Sequence, residues 1–290
     1  MMYKCCRYLL TLAGLLFFVS CEKDIDIDLK ESEPRLVVDG SIENGANPTV
    51  VLTKSLDYFG TITPELLFSS FVRNAVVTIT EGSAIYPLLE DSLPLTNGSY
   101  FYFYRSNSLI GKLNTSYTLN INAEGRTYSA TTTIPQITRV IDSLWSEKAP
   151  VQDTILYRMM IKATDKPGFG DYIRYFTKTN SDPFFPGFNS VFDDQVIDGK
   201  TYTIQVDRGI NKNIDGEDTD IYYNRGDTAT LKLCNIDRTT FDFWRTFEFS
   251  FQSIGNPFSS PTKILGNISN GGLGYFGGYA AQYRQVIMPK

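Results

Sequence analysis

The chain has 290 residues, with 27 basic and 32 acidic side chains, a formal charge of −5 and no histidine. The missing histidine excludes His-based triads, Cys-His dyads and His-rich zinc sites, and leaves carboxylate-only chemistry and oxygen-ligand metal sites open. The acidic balance argues against nucleic acid as a partner, because that ligand needs a concentrated basic surface. At 42% hydrophobic, the chain can bury a substantial core.

Residues 1–20 read as a signal peptide. Lys4 and Arg7 form a positive start, and Leu9 to Val19 is apolar apart from Thr11 and Gly14. That run is too short to span a bilayer, which takes about 20 residues, but it suits a signal core. Ser20 supplies the small residue before Cys21. "FVSC" (Phe18 to Cys21) resembles a bacterial lipoprotein lipobox, which implies cleavage before Cys21 and lipid on its sulfur and new amino group. Several acyl chains make a stable anchor, since each buried CH2 contributes about 0.8 kcal/mol. Residues 21–34 then read as an acidic tether. "EKDIDID" (Glu22 to Asp28) resembles the export signal of surface lipoproteins in Bacteroidetes-type bacteria. These features predict a lipid-anchored outer-membrane protein facing the cell exterior.

From Leu36 onward, short strand-like runs are broken by turns: "RLVVDGSI", "PTVVLTKS", "NAVVTITEG" and the aromatic "GSYFYFYRS". The clearest hairpin is "SYTLNINAEGRTYSATTTI". Tyr117, Leu119, Ile121 and Ala123 alternate on one arm, Glu124-Gly125-Arg126 makes the turn, and Tyr128, Ala130, Thr132 and Ile134 alternate on the other. Period two over both arms predicts one buried face. About six or seven strands in some 100 residues predict an immunoglobulin-like or transthyretin-like β-sandwich over 35–137, with Tyr117 as a candidate corner tyrosine.

A second β-rich domain is expected over 138–290. Tyr157, Met159, Ile161 and Ala163 alternate, as do Tyr202, Ile204 and Val206, and then Ala229, Leu231 and Leu233. Cys234 falls on the opposite face from that last set, where a buried or half-buried free thiol is expected. One helix is predicted near 238–252, capped by Asp237. Phe241, Trp244, Phe247, Glu248 and Phe251 form its core-facing stripe, with Phe243 and Phe249 off it. Packing on a sheet accounts for that stripe better than an aromatic ligand box does.

Two motifs raise questions of chemistry. Asn211, Asn213, Asp215 and Gly216 match positions 1, 3, 5 and 6 of a calcium loop, but position 12 is Tyr222 rather than glutamate. Asp218 and Asp220 are the substitute oxygen donors for a weak Ca2+ site, and a polar loop of turn formers explains the same residues. Asp193 and Asp194 are adjacent, so a strand would point them to opposite faces and they do not form a glycosidase pair. Asp198-Gly199 reads as a hairpin turn. No other cofactor signature is present. "GNPFSSPTKILGNISNGGLGYFGGYA" (Gly255 to Ala280) is neither a dinucleotide fingerprint nor a phosphate loop. Its glycines predict a closely approached backbone. Its Tyr275 and Phe276 either pack in the core or contact a partner.

The blocks "EPRLVVDGSIENGANPTVVLTKSLDYF", "FDDQVIDGKTYTIQV", "GDTATLKLCNIDRTTFDFWRTFE" and "NPFSSPTKILGNISNGGLGYFGGYA" resemble the DUF4249 family of Bacteroidetes outer-membrane lipoproteins. The resemblance implies an outer-membrane lipoprotein, often encoded beside a TonB-dependent transporter, and it carries no catalytic residues or ligand with it. The expected function is a non-enzymatic accessory subunit of such a transporter, with a substrate- or glycan-binding lipoprotein as the alternative and a carboxylate-dependent hydrolase behind it. Exposed Tyr and Phe would supply the interface anchors.

Overall fold

Alternating apolar and polar residues set the strands, and the β6–β7 hairpin shows this most plainly. In the computed structural model, β6 (Thr115–Ala123) and β7 (Arg126–Ile134) pair from Thr115–Ile134 to Ala123–Arg126. All eight predicted inward residues are buried. The turn is Glu124-Gly125 alone, with φ of 50° and 76°, so both central residues are left-handed as a two-residue hairpin requires. Arg126 belongs to β7. The Tyr117 hydroxyl accepts the backbone N–H of Lys112 at 2.9 Å. The structure describes residues 33–56, 62–151, 155–211 and 221–290, except 255, 257, 259 and 261.

The described chain is mostly β. The other elements of the first half are β1 (Leu36–Glu43), β2 (Thr49–Lys54), a short α1 (Pro64–Ser69), β3 (Val76–Glu81), β4 (Ala84–Pro94) and β5 (Tyr100–Arg105). The second half has β8 (Arg139–Lys148), β9 (Tyr157–Asp165), β10 (Tyr172–Thr179), β11 (Phe185–Asp193), β12 (Thr201–Val206), β13 (Thr228–Ile236), α2 (Arg238–Gln252) and β14 (Leu273–Ile287). An 11-stranded sheet runs β11-β10-β13-β14-β1-β2-β5-β4-β3-β6-β7, and a 3-stranded sheet runs β12-β9-β8. β4 pairs with β3 through its first half and with β5 through its second. One hydrophobic cluster therefore draws on β1 and β2 together with β3, β6 and β7.

The boundary expected near residue 137 divides neither the large sheet nor the first hydrophobic cluster, which takes in Phe276 and Ala280. Pro34–Lys290 form one compact unit. β14 pairs with β1 in parallel from Leu273 to Tyr279 and with β13 antiparallel from Tyr279 to Ile287. It sends Phe276 and Ala280 into the first-half cluster, and Tyr275, Tyr279 and Ala281 toward α2. The glycine-rich block is thus the start of a shared central strand plus the segment before it. That segment covers the free edge of β7. Ser269 exchanges bonds with Ser129, whose N–H donates to Ser269 Oγ at 2.7 Å and whose carbonyl accepts the Ser269 N–H at 2.8 Å. Asn267 donates to the carbonyls of Thr131 and Phe276. An uncovered edge would offer a template for pairing with another chain.

The helix predicted over 238–252 is α2. Asp237 caps it, accepting the Thr240 N–H at 2.8 Å, and its other oxygen accepts from Thr132 Oγ1 and the Thr133 N–H of β7. The buried face is turned from the predicted stripe. Phe243 is buried with Phe241 and Glu248, Trp244 and Phe247 are half-buried, and Phe251 is exposed. The reason is β14. Tyr275 stacks on Phe243 with centroids 4.5 Å apart, and so draws that side of the helix onto the sheet. Cys234 is fully buried in the same cluster, where burial pushes its thiol up to about 12.

Candidate functional site

The 3-stranded sheet lies over one face of β10 and β13. Ile161 and Ala163 of β9, Tyr175 of β10, Val206 of β12, and Leu231 and Leu233 of β13 share one hydrophobic cluster. The two layers do not close completely. Among the described residues, a hollow of about 1560 Å3 opens between them and continues around the β11 edge to Phe241, Arg245 and Phe251 of α2, on the other face of the large sheet. Its apolar wall includes Ile161, Ile173, Tyr175, Val206, Leu231 and Leu233. Around it Phe188, Phe192, Val196, Ile204 and Phe251 remain exposed to solvent.

A bulge in β11 shapes this opening. Val191 pairs with Arg174 and Pro186 with Phe176, so residues 187–190 of β11 all lie opposite Tyr175 of β10. Gly187 makes room for that tyrosine, because a Cβ there would sit 1.8 Å from the Tyr175 hydroxyl oxygen. Tyr175 stacks with Phe192 at 6.3 Å. Burial raises the Tyr175 hydroxyl above its ordinary value, and burial does the same to Tyr202 on the opposite wall. Both rings stay neutral at physiological pH and present hydroxyls rather than charge.

Arg139 also lines the cavity. Its Nε donates to Asp165 Oδ1 at 3.0 Å, with both side chains fully buried. Its Nη1 and Nη2 have no hydrogen-bond partner among the described residues. The Asp165, Asp171 and Asp194 carboxylates lie within 4.8 Å of one another. Two of the three already have structural work. Asp165 holds Arg139, and Asp194 accepts the N–H groups of Gly170 and Asp171 at 2.8 and 3.0 Å, pinning the β9–β10 loop. Burial, with help from the Asp165 and Asp194 charges, raises Asp171. A calcium ion takes about six to eight oxygens, and two of these three carboxylates already hold an arginine and a loop.

Under α2, on the other face of the sheet, aromatic side chains do form a box. Its occupant is internal. The Arg174 guanidinium carbon lies 3.3 Å from the Trp244 ring centroid, Nε donates to Ser190 Oγ, and Nη1 donates to the Tyr279 hydroxyl. Glu248 accepts the Ser190 N–H at 3.0 Å.

The residues expected to carry function are dispersed. Tyr275 and Phe276 are core residues on opposite faces of β14, so their role as partner contacts is corrected: from Tyr275 to Ala281 the strand is buried on both faces. Of the calcium-loop residues, Asn211 lines the cavity, while Asn213, Asp215, Asp218 and Asp220 lie outside the described residues. Asp193 lines the cavity and Asp194 turns away into the β9–β10 loop, so the two diverge as adjacent residues should. Asp198-Gly199 does form a turn before β12, with Gly199 at φ 66°. The stretch "FFPGFNSVF" (Phe184 to Phe192) held the signal for the cavity wall, as a phenylalanine-rich run interrupted by Pro-Gly.

The sequence model of a family described as a domain of unknown function, DUF4249, matches residues 22–285. The chain belongs to the DUF4249 family. No curated protein matches it. The match to DUF4249 runs from residue 22 into β14, so the family unit includes both halves of the fold and the strand they share.

Proposed function

We propose that this DUF4249 protein is a non-enzymatic outer-membrane lipoprotein, anchored at Cys21, that captures a ligand with a large apolar body in its cavity and serves a TonB-dependent transporter. The observation that carries the reading is the cavity of about 1560 Å3 with large apolar side chains left exposed around it. Ligand pockets are typically about 300–1,000 Å3, and apolar surface left open around a concavity marks a binding site. Binding rather than chemistry is supported by the absence of histidine and by carboxylates already committed to Arg139 and to a loop. The lipid and the acidic tether would keep the cavity at high local concentration beside a membrane partner.

Nile red, a neutral apolar fluorophore, tests the cavity. The chain from Glu22 onward should bind it with a blue-shifted emission. Phe192→Asp with Ile204→Asp should weaken binding at least tenfold without lowering the melting temperature, since both side chains are exposed. Equal binding by the double variant would remove the cavity reading. The transporter association is tested separately by gentle extraction of the membrane form through a C-terminal tag. A TonB-dependent transporter should co-purify in stoichiometric amount, and recovery of the lipoprotein alone would count against that half of the proposal.

A further inference from the structure

The end of the large sheet where the chain arrives from the tether has an unusual surface. Leu36, the first residue of β1, pairs with Lys54, the last of β2. The Ser55 N–H donates to the Arg35 carbonyl at 2.8 Å, which extends the pairing one step toward the tether. At this end β2 is joined by the residues that follow α1. The Lys54 N–H donates to the Ser70 carbonyl and the Val72 N–H to the Leu52 carbonyl. β5 runs antiparallel to β2, so its first residues reach the same end. There the Phe71 ring meets Phe101 at 5.3 Å and Tyr102 at 5.8 Å. The last residues of β4 lie opposite, Leu93 against Phe101 and Pro94 against Tyr100. The arriving chain, α1 and the β4–β5 tip thus share one end of the fold.

Among the described residues, that end is apolar and exposed. Leu66, Leu67, Leu93, Leu95, Tyr100 and Phe101 are all exposed, and α1 has no buried residue. Leu66 and Leu67 of this short helix keep part of their apolar surface open to another phase. Of the charges at this end, Lys54 pairs with Glu124, Arg35 donates to the Gly271 carbonyl, and Glu65 stands exposed in the first turn of α1. The surface offers leucine and aromatic rings among these few charges.

We infer that this end docks on the bilayer that carries the anchor, with its leucines and aromatic rings seated at the lipid interface. The inference rests on lipid attachment at Cys21. Cys21 to Glu33 is 13 residues, a reach of at most about 45 Å, and the tether enters the fold at the apolar end itself. The bilayer is then the apolar phase held within reach, and Tyr with Leu is the composition that settles at such an interface. Docking also orients the molecule. β14 starts beside the start of β1, with Leu273 opposite Val37, and ends beside β13. Fifteen residues of strand span about 50 Å, and Leu231 and Leu233 of the cavity wall pair with its far half. The docked end faces the lipid while the cavity is carried away from it.

Flotation with vesicles tests this, using the chain from Glu22 onward without Cys21. It should float with neutral vesicles of phosphatidylcholine and phosphatidylethanolamine, equally at low and high salt. Leu67→Asp with Phe101→Asp should reduce the bound fraction at least tenfold while the melting temperature is kept. Absence of flotation, equal flotation of the double variant, or binding only to anionic vesicles that salt abolishes would each overturn the inference. Loss of transporter co-purification in the variant, with no flotation of the parent, would assign the surface to a protein instead. Lipid attachment is read independently from the intact mass of the membrane form, so its failure is distinguishable from failure of the docking surface.

Discussion

Gly274→Ala is expected to destabilise the protein by about 2–5 kcal/mol, or to prevent folding, because it combines a strained backbone with a backbone clash. Gly274 has φ 87°, and a Cβ there would lie 1.9 Å from the Val38 carbonyl oxygen. The clash falls inside the β1–β14 pairing, where Val38 is the residue opposite Gly274. Val38 cannot retreat, since β2 pairs with β1 on its other side. Gly125→Ala is the matched control. Its φ is 76° but nothing lies within 4 Å of the added Cβ, so only the left-handed backbone penalty of about 1–2 kcal/mol applies. Urea unfolding of both variants measures the difference. Similar losses would mean that the close approach of β14 to β1 contributes little beyond backbone conformation.

Arg139→Met is the second large effect, at about 3–5 kcal/mol. The substitution keeps most of the side-chain volume but leaves Asp165 buried without its cation. Removing both charges in Arg139→Met with Asp165→Leu should recover most of the loss, because the pair's attraction is spent largely on its own desolvation. A double-mutant cycle by chemical denaturation gives the coupling. A double variant as unstable as Arg139→Met alone would show that packing, rather than charge, is what Arg139 supplies.

Local patterns were legible. Period two placed β6, β7, β9, β12 and β13, since alternation along a strand is enforced by the pleat whatever the strand pairs with. Asp237 and the aromatic run placed α2, because capping is settled within a few residues. The face of α2 was less legible. With aromatics at 241, 243, 244, 247, 249 and 251, helical spacing alone admits more than one stripe, and Tyr275, distant in sequence, selected Phe243 over Phe251.

The site was legible only in pieces. Arg139, Tyr175, Phe192 and Ile204 come from four strands, and nothing within any one strand marks a cavity. The glycine-rich block was recognisable as a place where backbones approach closely. Which backbone approaches it depends on the parallel pairing of Gly274 with Val38, 236 residues earlier. The same pairing decides that Tyr275 and Phe276 are core residues rather than partner contacts.

By itself, then, the sequence determined the β-rich character, the inward faces of single strands, the helix with its cap, and a chain with no histidine to do chemistry. These follow from short-range sterics, hydrogen bonding and composition. The tertiary structure decided that both halves share β14, that a cavity opens between two sheets, and that the exposed apolar end lies where β1 begins. Those depend on contacts between residues far apart in the chain, whose partners are selected by the closing of the whole fold and leave no periodic mark in any one segment.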